Sequence, residues 1–113
     1  MNRGERRALV HYLLRGYRPL GWNVRAGRNE LDLIVRRGRR LVFVEVKGKS
    51  GDGFGDPLEM VDAEKQRRVR RGAEAWLAAH REHAGLELSF EVVGLRGRRL
   101  VRVRDGFDAH AEA

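Results

Sequence analysis

Two alternating runs, residues 30–36 and 41–47, flank Gly38, and this spacing constrains the fold more than any other feature of the chain. Alternation on both sides of a glycine-centred turn signals a β-hairpin. A two-residue loop at 38–39 pairs Arg37 with Arg40, and a four-residue loop at 37–40 pairs Arg36 with Leu41. Both give partners whose numbers sum to 77, so the register does not depend on the turn. Val35 then faces Val42, Leu33 faces Val44 and Leu31 faces Val46, which makes one sheet face wholly apolar. The other face pairs Ile34 with Phe43, Asp32 with Glu45, and Glu30 with Lys47.

That second face carries a conflict. Directly opposed like charges destabilise an antiparallel pair by about 0.2–1 kcal/mol at the surface, and by more when buried. A bound cation would remove the penalty, because two carboxylates about 5 Å apart at Cβ can bracket one Mg²⁺ while water and phosphate oxygens complete its octahedron. Lys47 lies on the same face two positions beyond Glu45. An ammonium there would position an attacking water and offset charge building at phosphorus. The chain writes 21 of its 24 cationic residues as Arg and uses Lys only at 47, 49 and 65; Arg cannot give up its proton. The competing reading makes Glu30–Lys47 a plain cross-strand ion pair and splays Asp32 and Glu45 into water.

Around the hairpin, residues 4–16 read as a helix, with Leu9, Tyr12 and Leu13 on one face beside Ala8 and Gly16 closing it in the left-handed conformation. Pro19 and Gly21 mark a turn before a short strand at Trp22-Asn23-Val24. Residues 48–55 hold four glycines in eight positions and form a loop. A long helix follows over about 57–83, with Asp56, Pro57 and Glu59 suited to N-cap, N1 and N3, or with Asp62 capping a second helix after a break. Val69, Ala73, Trp76, Leu77 and His80 line its apolar face, and strands at 87–93 and 99–104 close the order α-β-β-β-α-β-β. The expected fold is a mixed α/β sandwich.

Length and composition narrow the function. The 113 residues support one domain, 1–113, able to bury about two-thirds of its unfolded surface. Absence of Cys excludes disulfides, thiolate zinc sites and a thiol nucleophile. No run of ~18 apolar residues occurs and the first residues lack a signal-peptide core, so a soluble cytoplasmic protein without membrane contact is expected. The formal charge of +8 meets the first requirement of a nucleic-acid binder, although an Arg-rich solvated surface gives the same number.

Gly4-Glu5, Gly16-Tyr17, Asn29-Glu30-Leu31-Asp32-Leu33-Ile34, Phe43-Val44-Glu45-Val46-Lys47, Phe54-Gly55 and Lys65-Gln66-Arg67-Arg68 follow one another in an order that resembles the YraN family, and Phe90-Glu91-Val92-Val93 also fits. The resemblance covers about the first 80 residues. It implies the PD-(D/E)xK fold, a restriction-endonuclease-like three-layer sandwich similar to archaeal Holliday-junction resolvases. It implies Asp32 and Glu45 as ligands of Mg²⁺ or Mn²⁺, Lys47 as the catalytic lysine, and Glu5 as an extra acid. Asn29 departs from the expected Gly, and Lys49 from the expected Arg. The implied activity is metal-dependent endonucleolytic hydrolysis of DNA, branched or damaged substrates included; two-fold substrates would suit a homodimer. A module that binds nucleic acid without cutting is the alternative.

Lys65, Arg67, Arg68 and Arg71 crowd two helical turns and, with Lys49, are the candidate phosphate-backbone contacts; a solvated helix face is the simpler alternative. The glycine loop lacks the Gly-Lys-Ser/Thr ending of a nucleotide P-loop. His80 and His83 stand at i, i+3 without a third ligand, so no metal is assigned to them. Trp76 falls on the apolar helix stripe and is assigned to the core.

Overall fold

The computed structural model of the chain describes residues 1–47, 62–96 and 98–104. The elements are α1 (Arg3–Leu13), β1 (Arg18–Ala26), β2 (Asn29–Arg37), β3 (Arg40–Val46), α2 (Ala63–Ala79), a 3₁₀ turn (Arg81–His83), β4 (Glu87–Arg96) and β5 (Arg99–Val103). They follow the expected order. One five-stranded sheet holds the strands in sequence order, and every neighbouring pair is antiparallel except β3–β4. A parallel step needs a crossover, and α2 lies within it.

The helices cover opposite faces. Ala8 and Tyr12 of α1 pack with Tyr17, Leu33, Val35, Val42, Val44, Val46 and Val93. Val69, Ala73 and Trp76 of α2 pack with Ala26, Leu31, Ile34, Leu41, Phe43 and Val92. Strand β3 is therefore buried on both sides along Leu41–Val46, a run that is apolar or aromatic except for Glu45. Three layers result: helix, sheet, helix.

The hairpin register is the expected one from Arg37–Arg40 through Leu33–Val44. Leu31, expected on the α1 face with Leu33 and Val35, lies instead in the α2 cluster. Opposite this break, Asn23 of β1 adopts a positive φ of 50°, and the ladder passes from Trp22–Leu33 to Val24–Leu31 without an Asn23–Asp32 pair. Both strands thus change faces at one crossing. The short strand expected at 22–24 extends over nine residues, Arg18–Ala26.

The first helix starts earlier and turns slightly differently than its periodicity suggests. Asn2 caps it, its side chain accepting from the Glu5 N–H at 2.8 Å while Glu5 accepts from the Asn2 N–H at 3.0 Å. Its buried residues are Gly4, Glu5, Ala8 and Tyr12, whereas Leu13 is exposed. A polar contact explains the rotation: the Tyr12 hydroxyl donates to Glu91 at 2.6 Å, which takes Tyr12 beneath the helix and carries Leu13 outward. Gly16 closes the turn at φ 86° as expected. At α2, Asp62 accepts from the Lys65 N–H at 2.8 Å and caps a helix that begins at Ala63; Asp56, Pro57 and Glu59 lie outside the described residues. The helix stops at Ala79 rather than 83, where His80 leaves helical dihedrals and its Nδ1 lies 2.8 Å from the Trp76 carbonyl. His80 and His83 flank the Trp76 ring at 4.2 and 5.4 Å, and His83 Nδ1 meets Arg36 at 2.8 Å, so both histidines belong to the packing of this corner.

Glu91 is the polar centre of the α1 layer. Fully buried, it accepts from Tyr12, from Arg102 Nε at 2.7 Å and from Arg40 at 2.8 Å. Burial alone would raise its pKa, but the hydrogen bonds from Arg102, Tyr12 and Arg40 prevail and hold it down at about 2. A carboxyl depressed in the folded state contributes stability above its unfolded pKa and loses that contribution as pH falls toward the folded value. Wild-type stability should therefore drop between about pH 4.5 and 2, and Glu91→Gln should flatten this limb in thermal scans. Glu91→Ala should cost about 3–5 kcal/mol at neutral pH in urea unfolding, since it leaves buried arginine unpaired. A loss below about 1 kcal/mol, the range of an exposed pair, would show that the network is not structural.

Candidate functional site

The sheet splits at the end of the β2–β3 ladder. Beyond Leu33–Val44, β3 stays with β4 through Val46–Val93, and the Lys47 N–H donates to the Val93 carbonyl at 2.8 Å. On the β2 side, Asp32 places a carboxylate oxygen 2.9 Å from the Val46 N–H. A side chain thus takes the place of a strand carbonyl, and the two strands separate without leaving that amide unsatisfied.

Asp32, Glu45 and Lys47 all lie at this fork. Asp32 and Glu45 are 2% and 1% exposed, so both acids are withdrawn from bulk water. Glu45 sits on the α2 side with Leu41 and Phe43, and two ammonium groups reach the same oxygen, Oε1: Lys47 Nζ at 3.9 Å and Lys65 Nζ at 3.3 Å. Lys65 is delivered by the first turn of α2, held by the Asp62 cap. The expected Glu30–Lys47 pairing does not form, because Lys47 follows the end of β3 and its ion pair is with Glu45. Glu30 lies opposite Arg25 in the β1–β2 ladder.

Buried carboxylates cost several kcal/mol each unless compensated. The compensation includes a backbone amide at Asp32 and two flexible cations at Glu45. Such a donor pair suits a small hard cation, since Mg²⁺ takes one or two carboxylates and fills its remaining positions with water and phosphate oxygens. Among the described residues no three His, Asp or Glu side chains form a metal-holding group, so Glu5 does not complete a three-acid cage with these two. Glu5 is buried at the start of α1, where its carboxylate closes the capping box.

The cationic residues separate into two groups. Lys65 and Arg68 line a depression of about 190 Å³ together with Arg25, Arg28, Asn29 and Glu30. Arg67 and Arg71 line another of about 340 Å³ with Arg70 and Glu74. The run 65–71 is therefore two helix faces rather than one surface. Lys49 lies outside the described residues. Sequence reasoning missed Arg25 and Arg28, whose signal is a pair of arginines around the Gly27 turn, and the buried Gln66 beside Lys65.

A mixed five-stranded sheet between two helices, with acids and a lysine at the fork of its central strands, defines a restriction-endonuclease-like α/β sandwich. Residues 4–95 match the model of the family described as uncharacterised protein family UPF0102, and the chain belongs to this family, the one that its motifs resemble. It is 42% identical over 108 residues to a UPF0102 protein of Alkalilimnicola ehrlichii, covering 96% of this chain and 86% of the relative. A UPF0102 protein of Shewanella amazonensis is 40% identical over 103 residues, covering 91% and 94%. Among the described residues no helix is long and apolar enough to cross a membrane.

Asp32 has a measurable structural duty apart from any chemistry. Asp32→Ala should lose about 1–3 kcal/mol in urea unfolding, because the Val46 N–H is left buried without an acceptor. Exchange of the Val46 amide should accelerate in Asp32→Ala and stay protected in Asp32→Asn, whose side-chain oxygen still accepts. Equal protection in both variants would mean that the carboxylate does not hold the fork.

Proposed function

We propose that the chain is a metal-dependent phosphodiesterase acting as an endonuclease on DNA. The observation that carries this reading is the pair of buried acids at the strand fork, Asp32 and Glu45, with Lys47 and Lys65 within 3.9 and 3.3 Å of one Glu45 oxygen. Asp32 and Glu45 would hold Mg²⁺ or Mn²⁺, which when bound supplies Lewis-acid polarisation of a phosphoryl oxygen.

The remaining steps belong to the chain's own side chains. Asp32, fixed on the Val46 amide, keeps one carboxylate oxygen committed to the backbone and so sets the direction of the other. Lys47, on a backbone still anchored to β4, orients a water for attack on phosphorus; its charge opposes the negative charge that builds on the phosphoryl oxygens. Lys65 neutralises Glu45 and places a second positive charge at the same oxygen. Burial strengthens each of these interactions by lowering the local dielectric. The arginines of α2 and of the β1–β2 turn attract the polyanion.

One observation favours a second reading, a module that binds nucleic acid without cutting it: Lys65 already compensates Glu45 with no metal needed. Calorimetry separates the two. Mn²⁺ should bind the native protein and fail to bind Asp32→Asn plus Glu45→Gln, and the native protein should cleave linear, nicked or branched DNA in Mg²⁺ or Mn²⁺. Lys47→Ala should lower cleavage by about 100-fold or more, since removal of one charge-stabilising group typically costs that much. Salt-dependent DNA binding with neither metal uptake in the presence of DNA nor cleavage would establish the non-cutting module instead. Undiminished cleavage by Lys47→Ala would remove the lysine from the mechanism.

A further inference from the structure

We infer that the depression between the β1–β2 turn and α2 is a subsite for a phosphate of a polynucleotide backbone, set beside the acidic fork and joined to it by Lys65. The inference rests on the phosphodiesterase reading for the identity of its ligand, and adds where the chain of phosphates runs on leaving the fork.

Four cations and one acid line the cleft: Arg25, Arg28, Lys65 and Arg68 against Glu30; with Lys65 set against Glu45, 3 − 1 leaves a local charge of +2 from the arginines and Glu30. Arg25, Arg28 and Arg68 make no ion pair among the described residues, and Arg25 and Arg28 are exposed. Holding the three arginines together costs free energy that no ion pair among the described residues offsets, so an anion is the ligand that the cleft fits. Among the described residues the lining includes no aromatic ring on which a base could stack, and its apolar member is Val69. A cleft of guanidinium, ammonium and amide groups without a stacking surface recognises backbone phosphate and not sequence.

Packing keeps the two walls in fixed relation. Gly72 lets α2 approach the sheet so closely that a Cβ there would stand 3.1 Å from Asn29 Cβ and 3.1 Å from Leu31 Cδ2. Gly27, at φ 62°, turns the chain so that it passes over Ala75, where an added Cβ would meet the Ala75 methyl at 3.5 Å. The arginines of the turn and Lys65 and Arg68, at i, i+3 on α2, thus face one space from two rigid elements. Lys65 belongs to both places: it lines the cleft and lies 3.3 Å from Glu45. A phosphate in the cleft and a phosphodiester at the fork would share this one ammonium, which is the relation between neighbouring phosphates of one strand.

The test is DNA binding by the full chain in Ca²⁺, with Mg²⁺ and Mn²⁺ absent, so that affinity is read without turnover. Fluorescence anisotropy on duplex DNA from about 50 to 200 mM salt compares the native protein, Arg25→Ala plus Arg28→Ala, and the charge-matched control Arg99→Ala plus Arg104→Ala, which lies on the opposite edge of the sheet. Circular dichroism verifies folding of each variant. The turn variant should bind about tenfold more weakly or worse, and its log K against log salt slope should fall by about 0.9, the value for one backbone phosphate no longer neutralised by the protein. The control should remain within about twofold of native. Inorganic phosphate at constant ionic strength should compete only weakly, because a backbone site gains its affinity from the phosphates on either side. Native-like binding and slope in the turn variant, or an equal loss in the control, would overturn the subsite. Strong competition by inorganic phosphate would convert it into a site for free anion. No binding of DNA by the native protein would sink the phosphodiesterase reading itself, and the subsite with it.

Discussion

The contact between the Asp32 carboxylate and the Val46 amide decides how the rest of the site is built. A central strand cannot lose its neighbour inside a protein unless something else satisfies its backbone, because a buried N–H without an acceptor costs as much as the hydrogen bond it replaces. Asp32 supplies the acceptor at 2.9 Å, so β2 turns away while β3 continues along β4. The fork lies in the middle of the sheet rather than at its edge. The acids there are buried, while the lysines beside them keep partial exposure.

The break in strand alternation belongs to the same event. Asn23 at φ 50° and the transfer of Leu31 to the α2 cluster both occur where β1 and β2 cross Asp32. A non-glycine residue in the left-handed region costs free energy and persists only where the surroundings enforce it; Asn is among the residues that tolerate it best. Here the surroundings are the close approach of Gly72 to Leu31 and the burial of Asp32 itself. The strain lies at the position of the candidate ligand, and it turns the β1–β2 ribbon toward α2, which is what brings Arg25 and Arg28 opposite Lys65 and Arg68.

Much of this is legible in the chain, and the failures have physical causes. The Arg37–Arg40 to Leu33–Val44 register follows from alternation alone, because a one-residue slip would place every apolar residue on the wrong face. The element order, the core position of Trp76 and the alternative cap at Asp62 are likewise readable from period and capping chemistry. Register arithmetic carries no information about where pairing stops. It therefore sets Asp32 squarely against Glu45 and Glu30 against Lys47, when a side-chain hydrogen bond ends the ladder first. Leu13 is misplaced for a similar reason: helical period cannot weigh one leucine against a tyrosine that finds a buried carboxylate. Glu91 gives little signal because a single acid in an apolar run reads as a solvent-facing residue, and its partners, Tyr12, Arg40 and Arg102, are scattered along the sequence. Arg25 and Arg28 are hidden among 21 arginines, and the Gly27 turn between them marks their nearness to each other but not to a helix.

Two buried glutamates in one sheet, Glu45 and Glu91, show how the choice of cation separates structure from chemistry. Glu91 is held by Arg102 through Nε and Nη2 at 2.7 and 3.2 Å, by Arg40 at 2.8 Å and by a tyrosine hydroxyl at 2.6 Å. A guanidinium fork matched to a carboxylate occupies both oxygens and leaves little to exchange, which suits a permanent cross-brace between α1, β3, β4 and β5. Glu45 is faced instead by Lys47 and Lys65, two of only three lysines in the chain, at the looser distances of 3.9 and 3.3 Å. An ammonium is a point charge on a flexible stem. It compensates a buried carboxylate yet can move aside for a stronger cation or turn toward an incoming phosphate at little geometric cost. A chain that otherwise uses arginine for its positive charge places two of its three lysines at this buried carboxylate. That contrast sets Glu91, locked by matched guanidinium groups, apart from Glu45, whose ammonium partners can exchange at little geometric cost.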